Sequence, residues 1–181
     1  MSTVKRYIIT GGPGAGKTTL LQALKQQGYT CFDEVSRQLI AEQVALDTGC
    51  LPWTDLACFA AKALQRMTDS HRQAARCNGA VFFDRGIPDI IAYLKVAKLP
   101  VAESYYTALR HYPYHPIVFV LPPWKEIYIN DPERWQTFGE ATAIYNALKE
   151  TYQSLSYTLI EVEKGSVHRR AQQITAIVHA E

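Results

Sequence analysis

The residues that most clearly could do chemistry form a glycine-rich stretch near the start of this sequence. Gly11, Gly16, Lys17 and Thr18 satisfy the pattern G-x-x-x-x-G-K-[ST]. In such a loop, backbone N–H groups surround phosphate oxygens, the lysine reaches the β- and γ-phosphates, and the hydroxyl ligates Mg²⁺. We therefore predict a site for ATP and Mg²⁺, the alternative being a glycine-rich turn that binds nothing. The residues predicted to contact the nucleotide are Gly12, Gly14, Ala15, Gly16, Lys17, Thr18 and Thr19.

A second group of candidate residues follows the apolar run Val81-Phe-Phe83. Asp84 could hold Mg²⁺, or it could accept a proton from an attacking hydroxyl, and the sequence does not choose between these roles. Arg85 suits a phosphate or an anionic substrate, because its planar guanidinium binds oxygens in pairs. Alternatively, Asp84 and Arg85 form an ion pair or cap the helix that follows Pro88.

A third pair, Glu34 and Arg37, follows the apolar run that ends at Phe32. Residues three apart lie on one side of a helix's first turn, so both side chains would face the same crevice. Glu34 is then a second candidate base, and Arg37 a candidate substrate ligand. A Glu–Arg pair at this spacing is also common on solvated helix surfaces.

Three weaker candidates lie in polar stretches. We predict a lid at residues 122–138, in which Arg134 would neutralise charge on a transferred phosphoryl group unless its acidic neighbours pair with it. Trp53 could close an aromatic wall over a planar substrate, or simply pack on the core. Residues 163–166 could border a nucleotide base, whereas His168, Arg169 and Arg170 suggest a solvated helix face.

The elements that must position these residues alternate along the chain. Short, nearly continuous apolar runs predict strands that are covered on both faces, and segments with apolar residues at spacings of three and four predict helices between them. This order predicts an α/β fold of three layers with five parallel strands. The predicted strands are 7–10, 29–32, 80–83, 117–121 and 157–162; the predicted helices are 17–27, 34–44, 54–75, 88–97, 102–111, 138–154 and 167–180.

Composition limits the possibilities further. A chain of 181 residues, 48% of them hydrophobic, predicts a single domain at 1–181. A net charge of +2 gives no indication of nucleic-acid or membrane-surface binding. The first apolar run is far too short to span a membrane, so we expect a cytoplasmic protein. The four cysteines form no CxxC pair, and we expect them to be buried free thiols.

The motifs "YIITGGPGAGKTTLL", "DEVSRQLI", "LPW", "FDRGIPD" and "LPPWKEIYINDPERWQTF" resemble a family. It is a small predicted-ATPase family of P-loop proteins, of AAA type, grouped with the nicotinamide riboside kinase domain of bifunctional NAD regulators. The resemblance covers nearly the whole chain. It implies a nucleoside- and nucleotide-kinase-like sheet with strand order 2-3-1-4-5 and binding of a purine triphosphate, but it does not supply the acceptor.

Together these features predict an ATP- and Mg²⁺-dependent phosphotransferase acting on a small hydroxyl-bearing metabolite such as a nucleoside or nucleotide. The catalytic set would be Lys17, Glu34, Asp84, Arg85 and Arg134, with Thr18 and Asp84 at the metal and Trp53, Arg37 and Arg85 at the acceptor. The alternative is a nucleotide-dependent regulatory module with slow ATPase activity and a protein partner.

Overall fold

The computed structural model describes residues 4–128 and 137–181, which form a five-stranded parallel sheet between helices. The strand order is β2-β3-β1-β4-β5, as predicted, and the α/β fold class is confirmed. The strands are β1 Lys5–Gly11, β2 Thr30–Phe32, β3 Ala80–Asp84, β4 Ile117–Leu121 and β5 Thr158–Glu161. The helices are α1 Lys17–Gln26, α2 Val35–Ala45, α3 Leu56–Ala74, α4 Ile87–Val96, α5 Glu103–His111, α6 Phe138–Ser154 and α7 Val167–Ala180, with a 3₁₀ turn at Lys125–Ile127.

The central strands are apolar without interruption because both of their faces are covered. Successive side chains of a strand point to opposite faces of the sheet. Ile8 of β1 accordingly packs in a cluster with residues of α3, α4 and α6, whereas its neighbour Ile9 packs with residues of α1 and α7. Both isoleucines are fully buried. The result is the three-layer arrangement that the alternating sequence pattern predicted.

Side-chain caps mark the starts of α3 and α6. The Asp55 carboxylate accepts a hydrogen bond from the Cys58 N–H at 2.9 Å, so α3 begins at Leu56 rather than at the predicted residue 54. Thr137 and Glu140 cap α6 reciprocally: the Glu140 N–H donates to the Thr137 hydroxyl, and the Thr137 N–H donates to the Glu140 carboxylate. The predicted start of α6 is confirmed.

The cysteines correct one expectation. Cys50 and Cys58 form a disulfide, with their Cα atoms 5.5 Å apart, whereas Cys31 and Cys77 are free and half-buried. The prediction of four free thiols was therefore wrong for the first pair. A search for CxxC spacing missed the disulfide because the two cysteines are eight residues apart and the loop before α3 brings them together.

The register of the sheet brings the candidate loops to one edge. In parallel pairing Ile9 lies beside Asp84, Gly11 beside Leu121, and Phe32 beside Phe83. The carboxyl ends of β1, β2 and β3 therefore meet, as expected for the ligand-binding edge of an open α/β sheet. Within residues 4–128 and 137–181, no helix is both long and apolar enough to cross a membrane.

Candidate active site

The glycine-rich loop joins β1 to α1 and depends on glycine for its conformation. Gly14 and Gly16 have φ angles of 74° and 80°, in the left-handed region that residues with a Cβ rarely adopt. The loop is also tightly packed. A Cβ added to Gly12 would lie 2.6 Å from the Ala141 carbonyl oxygen, and one added to Gly14 would lie 2.5 Å from the Tyr128 ring. The loop backbone therefore lies directly against α6 and against Tyr128, the residue that follows the 3₁₀ turn.

Lys17 is the first residue of α1, and its side chain is buried within the loop. Its Nζ donates to the carbonyl oxygens of Gly11 and Gly12, at 3.1 Å each. Burial, with a further contribution from the nearby Arg85 charge, lowers the pKa of Lys17 to about 8. A phosphate oxygen entering the loop would restore a full charge partner to this ammonium group, which favours anion binding here.

Arg170 of α7 contacts the glycine-rich loop through its side chain. Arg170 is 3% exposed, and its guanidinium donates to the Ala15 carbonyl oxygen at 3.0 Å and lies 5.6 Å from the centre of the Trp124 ring. The predicted solvated helix face was therefore wrong for Arg170, although His168 and Arg169 are exposed. A signal was present in the sequence, because Arg170 precedes the buried residues of α7 at a four-residue spacing.

Arg85 connects the ends of β1, β2 and β3. It adopts a φ of 73°, and its N–H donates to the Ile9 carbonyl oxygen. Its side chain donates to Glu34 at 3.0 Å, to the Gly11 carbonyl oxygen at 3.1 Å and to Asp89 at 3.3 Å. Arg85 therefore pairs with Glu34 and Asp89, and the alternative of a local ion pair with its neighbour Asp84 is not what forms.

Asp89 is the site residue that sequence reasoning missed. It is 1% exposed, and its carboxylate accepts hydrogen bonds from the Thr10 hydroxyl at 2.5 Å, the Gly86 N–H at 2.8 Å and the Tyr152 hydroxyl at 2.5 Å, besides Arg85. In a sequence, an acidic residue in the first helical turn after a glycine indicates only a helix cap, and Asp89 does cap α4. The partners from β1 and α6 could not be seen in the sequence.

Glu34 and Asp84 differ in their electrostatic environments. Burial alone would raise the pKa of Glu34, but the charges of Arg85 and Lys17 outweigh it and hold the pKa below its usual range. For Asp84, burial dominates and raises the pKa to about 6, against an opposing effect of Lys17. Glu34 is thus ionised at neutral pH beside its cationic partners, whereas Asp84 is a desolvated carboxylate behind them.

The residues present fit a magnesium ion of the kind found beside nucleotide phosphates. One Asp84 carboxylate oxygen is buried and has no hydrogen-bond partner, and Thr18 is an exposed residue of the cavity lining. In the described part of the chain no three His, Cys, Asp or Glu residues cluster as metal ligands. Mg²⁺ needs no such cluster, because it binds through one or two protein oxygens, phosphates and water.

One cavity of about 830 Å³ joins these groups. On one side, its lining includes residues 13–19 of the glycine-rich loop and the start of α1, Trp124, and residues 165–167 and Arg170 at the start of α7. Glu34, Arg37 and Arg85 line it together with residues of α2, α3, α4 and α6. Glu34 and Arg37 thus face the same crevice, 4.0 Å apart, as predicted.

Three of the described residues that were predicted for the site are absent from the lining of this cavity, namely Trp53, Asp84 and Gly12. Trp53 is 54% exposed, and its neighbour Pro52 lines the cavity instead. Arg134 lies outside the described residues, as do the other residues of the predicted lid from 129 to 136. Asp84 and Gly12 are placed behind the lining, against Lys17 and α6.

The parallel sheet in the order 2-3-1-4-5 and the glycine-rich loop between β1 and α1 define a P-loop protein with the fold of nucleoside and nucleotide kinases. The family model for an AAA domain matches residues 6–170. The chain belongs to that family, in keeping with the resemblance noted from the sequence. No curated protein matches the chain significantly.

Solved structures show the same fold at low identity. Deoxyadenosine kinase from M. mycoides, solved with dCMP and dCDP, is 17% identical with a TM-score of 0.71, over 97% of this chain and 100% of the kinase. Thymidylate kinase from Candida albicans is 15% identical with a TM-score of 0.70, over 99% and 93%. NadR in complex with NR is 21% identical with a TM-score of 0.70, over 98% of this chain but only 51% of NadR.

Proposed function

We propose that the chain is an ATP- and Mg²⁺-dependent kinase of a small hydroxyl-bearing metabolite. The observation that carries this proposal is the single cavity shared by the phosphate loop and by the Glu34–Arg85 pair. An ionised acid and a guanidinium beside the phosphate loop are groups that can orient an acceptor hydroxyl and neutralise the transferred phosphoryl group. The similar solved structures include a deoxyadenosine kinase and a thymidylate kinase, which agrees with this proposal.

The chemistry is a transfer of the γ-phosphoryl group. The acceptor's hydroxyl oxygen forms a bond to the γ-phosphorus, the bond from that phosphorus to the β–γ bridging oxygen breaks, and ADP leaves with the bonding electron pair. The phosphate loop and Lys17 hold the triphosphate, and Arg85 faces the acceptor and the transferred group. A bound Mg²⁺ would neutralise phosphate charge, with Thr18 and Asp84 as the residues that would hold it.

We propose Glu34 as the group that receives the hydroxyl proton. Glu34 lines the cavity and is ionised at neutral pH, whereas Asp84 lies behind the lining. A carboxylate with a lowered pKa is a weak base, but phosphoryl transfer passes through a loose transition state that demands little proton abstraction before the phosphorus–oxygen bond breaks. Orientation of the hydroxyl is then the larger contribution of Glu34.

Lys17→Ala tests the phosphate role. Thermal stabilisation by Mg-ATP should disappear in this variant, because the loop loses the ammonium group that contacts the phosphates. Lys25→Ala is the control, since Lys25 also lies on α1 but pairs with Asp33 at the surface. Stabilisation by Mg-ATP that survives in Lys17→Ala would contradict the assignment.

Glu34→Gln and Asp84→Asn together test the division of roles. We expect Glu34→Gln to lower kcat by about 10²–10⁴-fold with an unchanged Mg²⁺ requirement. Asp84→Asn should instead raise the Mg²⁺ concentration needed for half-maximal activity by about tenfold or more. The opposite pattern would make Asp84 the base. Release of ADP that no metabolite stimulates, in a screen of hydroxyl compounds, would refute the kinase assignment and favour a regulatory ATPase.

A further inference from the structure

The wall that α3 contributes to the cavity is entirely apolar. Together with Ile40 of α2 it forms what we call the apolar wall, made of Ile40, Leu56, Phe59, Ala60, Ala63 and Met67. The phosphate loop and the start of α7 contribute to the other side, where Arg170 contacts Ala15. The apolar wall therefore belongs to the acceptor side of the cavity.

The polar groups of the acceptor side are concentrated around Arg85. Glu34 and Asp89 both accept from its guanidinium, and the Tyr93 ring lies 5.5 Å from it. Arg37 lies next to Glu34 in the first turn of α2. The hydrogen-bonding groups of this side thus gather where a reacting hydroxyl would lie.

The one acidic residue that α6 adds to the lining is already engaged. Glu140 accepts from the N–H and hydroxyl of Thr137 in the cap of its own helix. The other α6 residues in the lining, Ala143 and Ile144, are apolar, as are Ile90 and Val96 of α4. On the acceptor side, the described lining beyond Ser36 and the Arg85 cluster is therefore apolar apart from Glu140.

This distribution discriminates between classes of acceptor. The edge of a nucleobase carries several donors and acceptors, and each one that is buried without a partner weakens binding by about tenfold or more. An aryl or alkyl body has no such groups and gains from contact with an apolar wall. We propose that the acceptor is an alcohol with an apolar body, whose hydroxyl reaches Glu34 and Arg85 while its body packs on α3, rather than a nucleoside.

The inference rests on the proposed kinase function, and two separate readouts keep the two apart. Binding is measured as thermal stabilisation by octanol, naphthyl-ethanol, adenosine or thymidine in the presence of a non-hydrolysable ATP analogue and Mg²⁺. Transfer is measured with Mg-ATP and the same four compounds, by mass spectrometry of the phosphate ester. We expect kcat/KM for at least one apolar alcohol to exceed that for either nucleoside by about tenfold or more.

A matched pair of variants locates the binding surface. Leu56→Gln places a polar group in the apolar wall and should raise KM for the apolar alcohol by about tenfold, with KM for Mg-ATP unchanged. Val44→Gln is the control, because Val44 is an exposed residue of α2 (57%) outside the cavity lining and should leave both KM values unchanged. Val96→Gln, at an exposed cavity residue (44%), serves as a second test if Leu56→Gln does not fold.

Each result bears on one proposal or both. Binding and phosphorylation of an apolar alcohol, weakened in Leu56→Gln but not in Val44→Gln, support both proposals. Binding of the alcohol without transfer shows that the cavity takes an apolar ligand but overturns the alcohol as phosphoryl acceptor, and the wider metabolite screen then decides the kinase function. Phosphorylation of a nucleoside with no response to apolar alcohols overturns the acceptor class and leaves the kinase function standing. No binding and no transfer with any compound overturns the acceptor class, and the wider metabolite screen then decides the kinase function.

Discussion

Replacing Asp89 with asparagine changes the charge of a buried group without changing its shape. One carboxylate oxygen accepts from the Thr10 hydroxyl and Arg85, and the other from the Gly86 N–H and the Tyr152 hydroxyl. Asparagine must place its NH₂ group in one of these two positions. The hydroxyl on either side can rotate, but Arg85 and the Gly86 N–H can only donate, so either orientation leaves one fixed donor facing another.

The size of the effect follows from these partners. A buried donor left without its acceptor costs about 1–3 kcal/mol, and Arg85 also loses one of its two carboxylate partners. We expect Asp89→Asn to lower the free energy of unfolding by about 3 kcal/mol, within a range of roughly 2–5 kcal/mol. For a domain of this length, a loss of that size lowers Tm by about 6–12 °C.

The assay is thermal and urea unfolding of the wild type, Asp89→Asn and a control, followed by circular dichroism. The control is Asp69→Asn, because Asp69 of α3 likewise pairs with a nearby arginine, Arg72, but at the exposed surface. That surface pair should contribute less than about 1 kcal/mol. Equal losses of stability in the two variants would refute the reasoning that the buried carboxylate organises the site.

Two further substitutions test the packing of the loop and a buried histidine. Gly12→Ala should lower Tm, because the added Cβ would lie 2.6 Å from the Ala141 carbonyl oxygen and such overpacking costs about 1–3 kcal/mol. The control, Gly139→Ala in α6, has room for a Cβ and should leave Tm equal or higher. The reverse order of Tm values would disprove the close approach at Gly12. Burial lowers the pKa of His71, so the folded protein binds fewer protons than the unfolded chain, and stability is complete above about pH 6.5 and declines as the pH falls below it. His71→Gln removes this titration while keeping a donor for the Pro113 carbonyl. Between about pH 7.5 and pH 5.5, the Tm of this variant should fall less than the Tm of the wild type. An identical fall in both proteins would assign the pH dependence to other groups.

Most of the secondary structure was predictable because its signals are local. The apolar runs and helical spacings gave every strand and α-helix of the described chain to within two residues at each end, and the glycine pattern identified the phosphate loop. Such signals depend on residues a few positions apart, which one stretch of sequence contains completely. The 3₁₀ turn at Lys125–Ile127 was not predicted, since a single turn has almost no periodicity to detect.

The candidate site was predictable only in part. Glu34 and Arg37 were placed correctly because the carboxyl ends of parallel strands share one edge of a sheet. The position of Trp53 outside the cavity wall could not be predicted, because a loop residue belongs to no periodic pattern that would show which way its side chain faces. The disulfide between Cys50 and Cys58 likewise depends on the path of the loop rather than on a recognisable spacing.

What the sequence alone determined is the presence of a phosphate loop, the alternation of strands and helices, and the set of charged residues at the strand ends. The tertiary structure decided which of those residues are partners. Arg85 meets Glu34 across 51 positions, Asp89 meets Thr10 across 79, and Arg170 meets Ala15 across 155. Those pairings follow from strand order and register, which arise when distant segments bury their apolar faces together, and no local pattern encodes them.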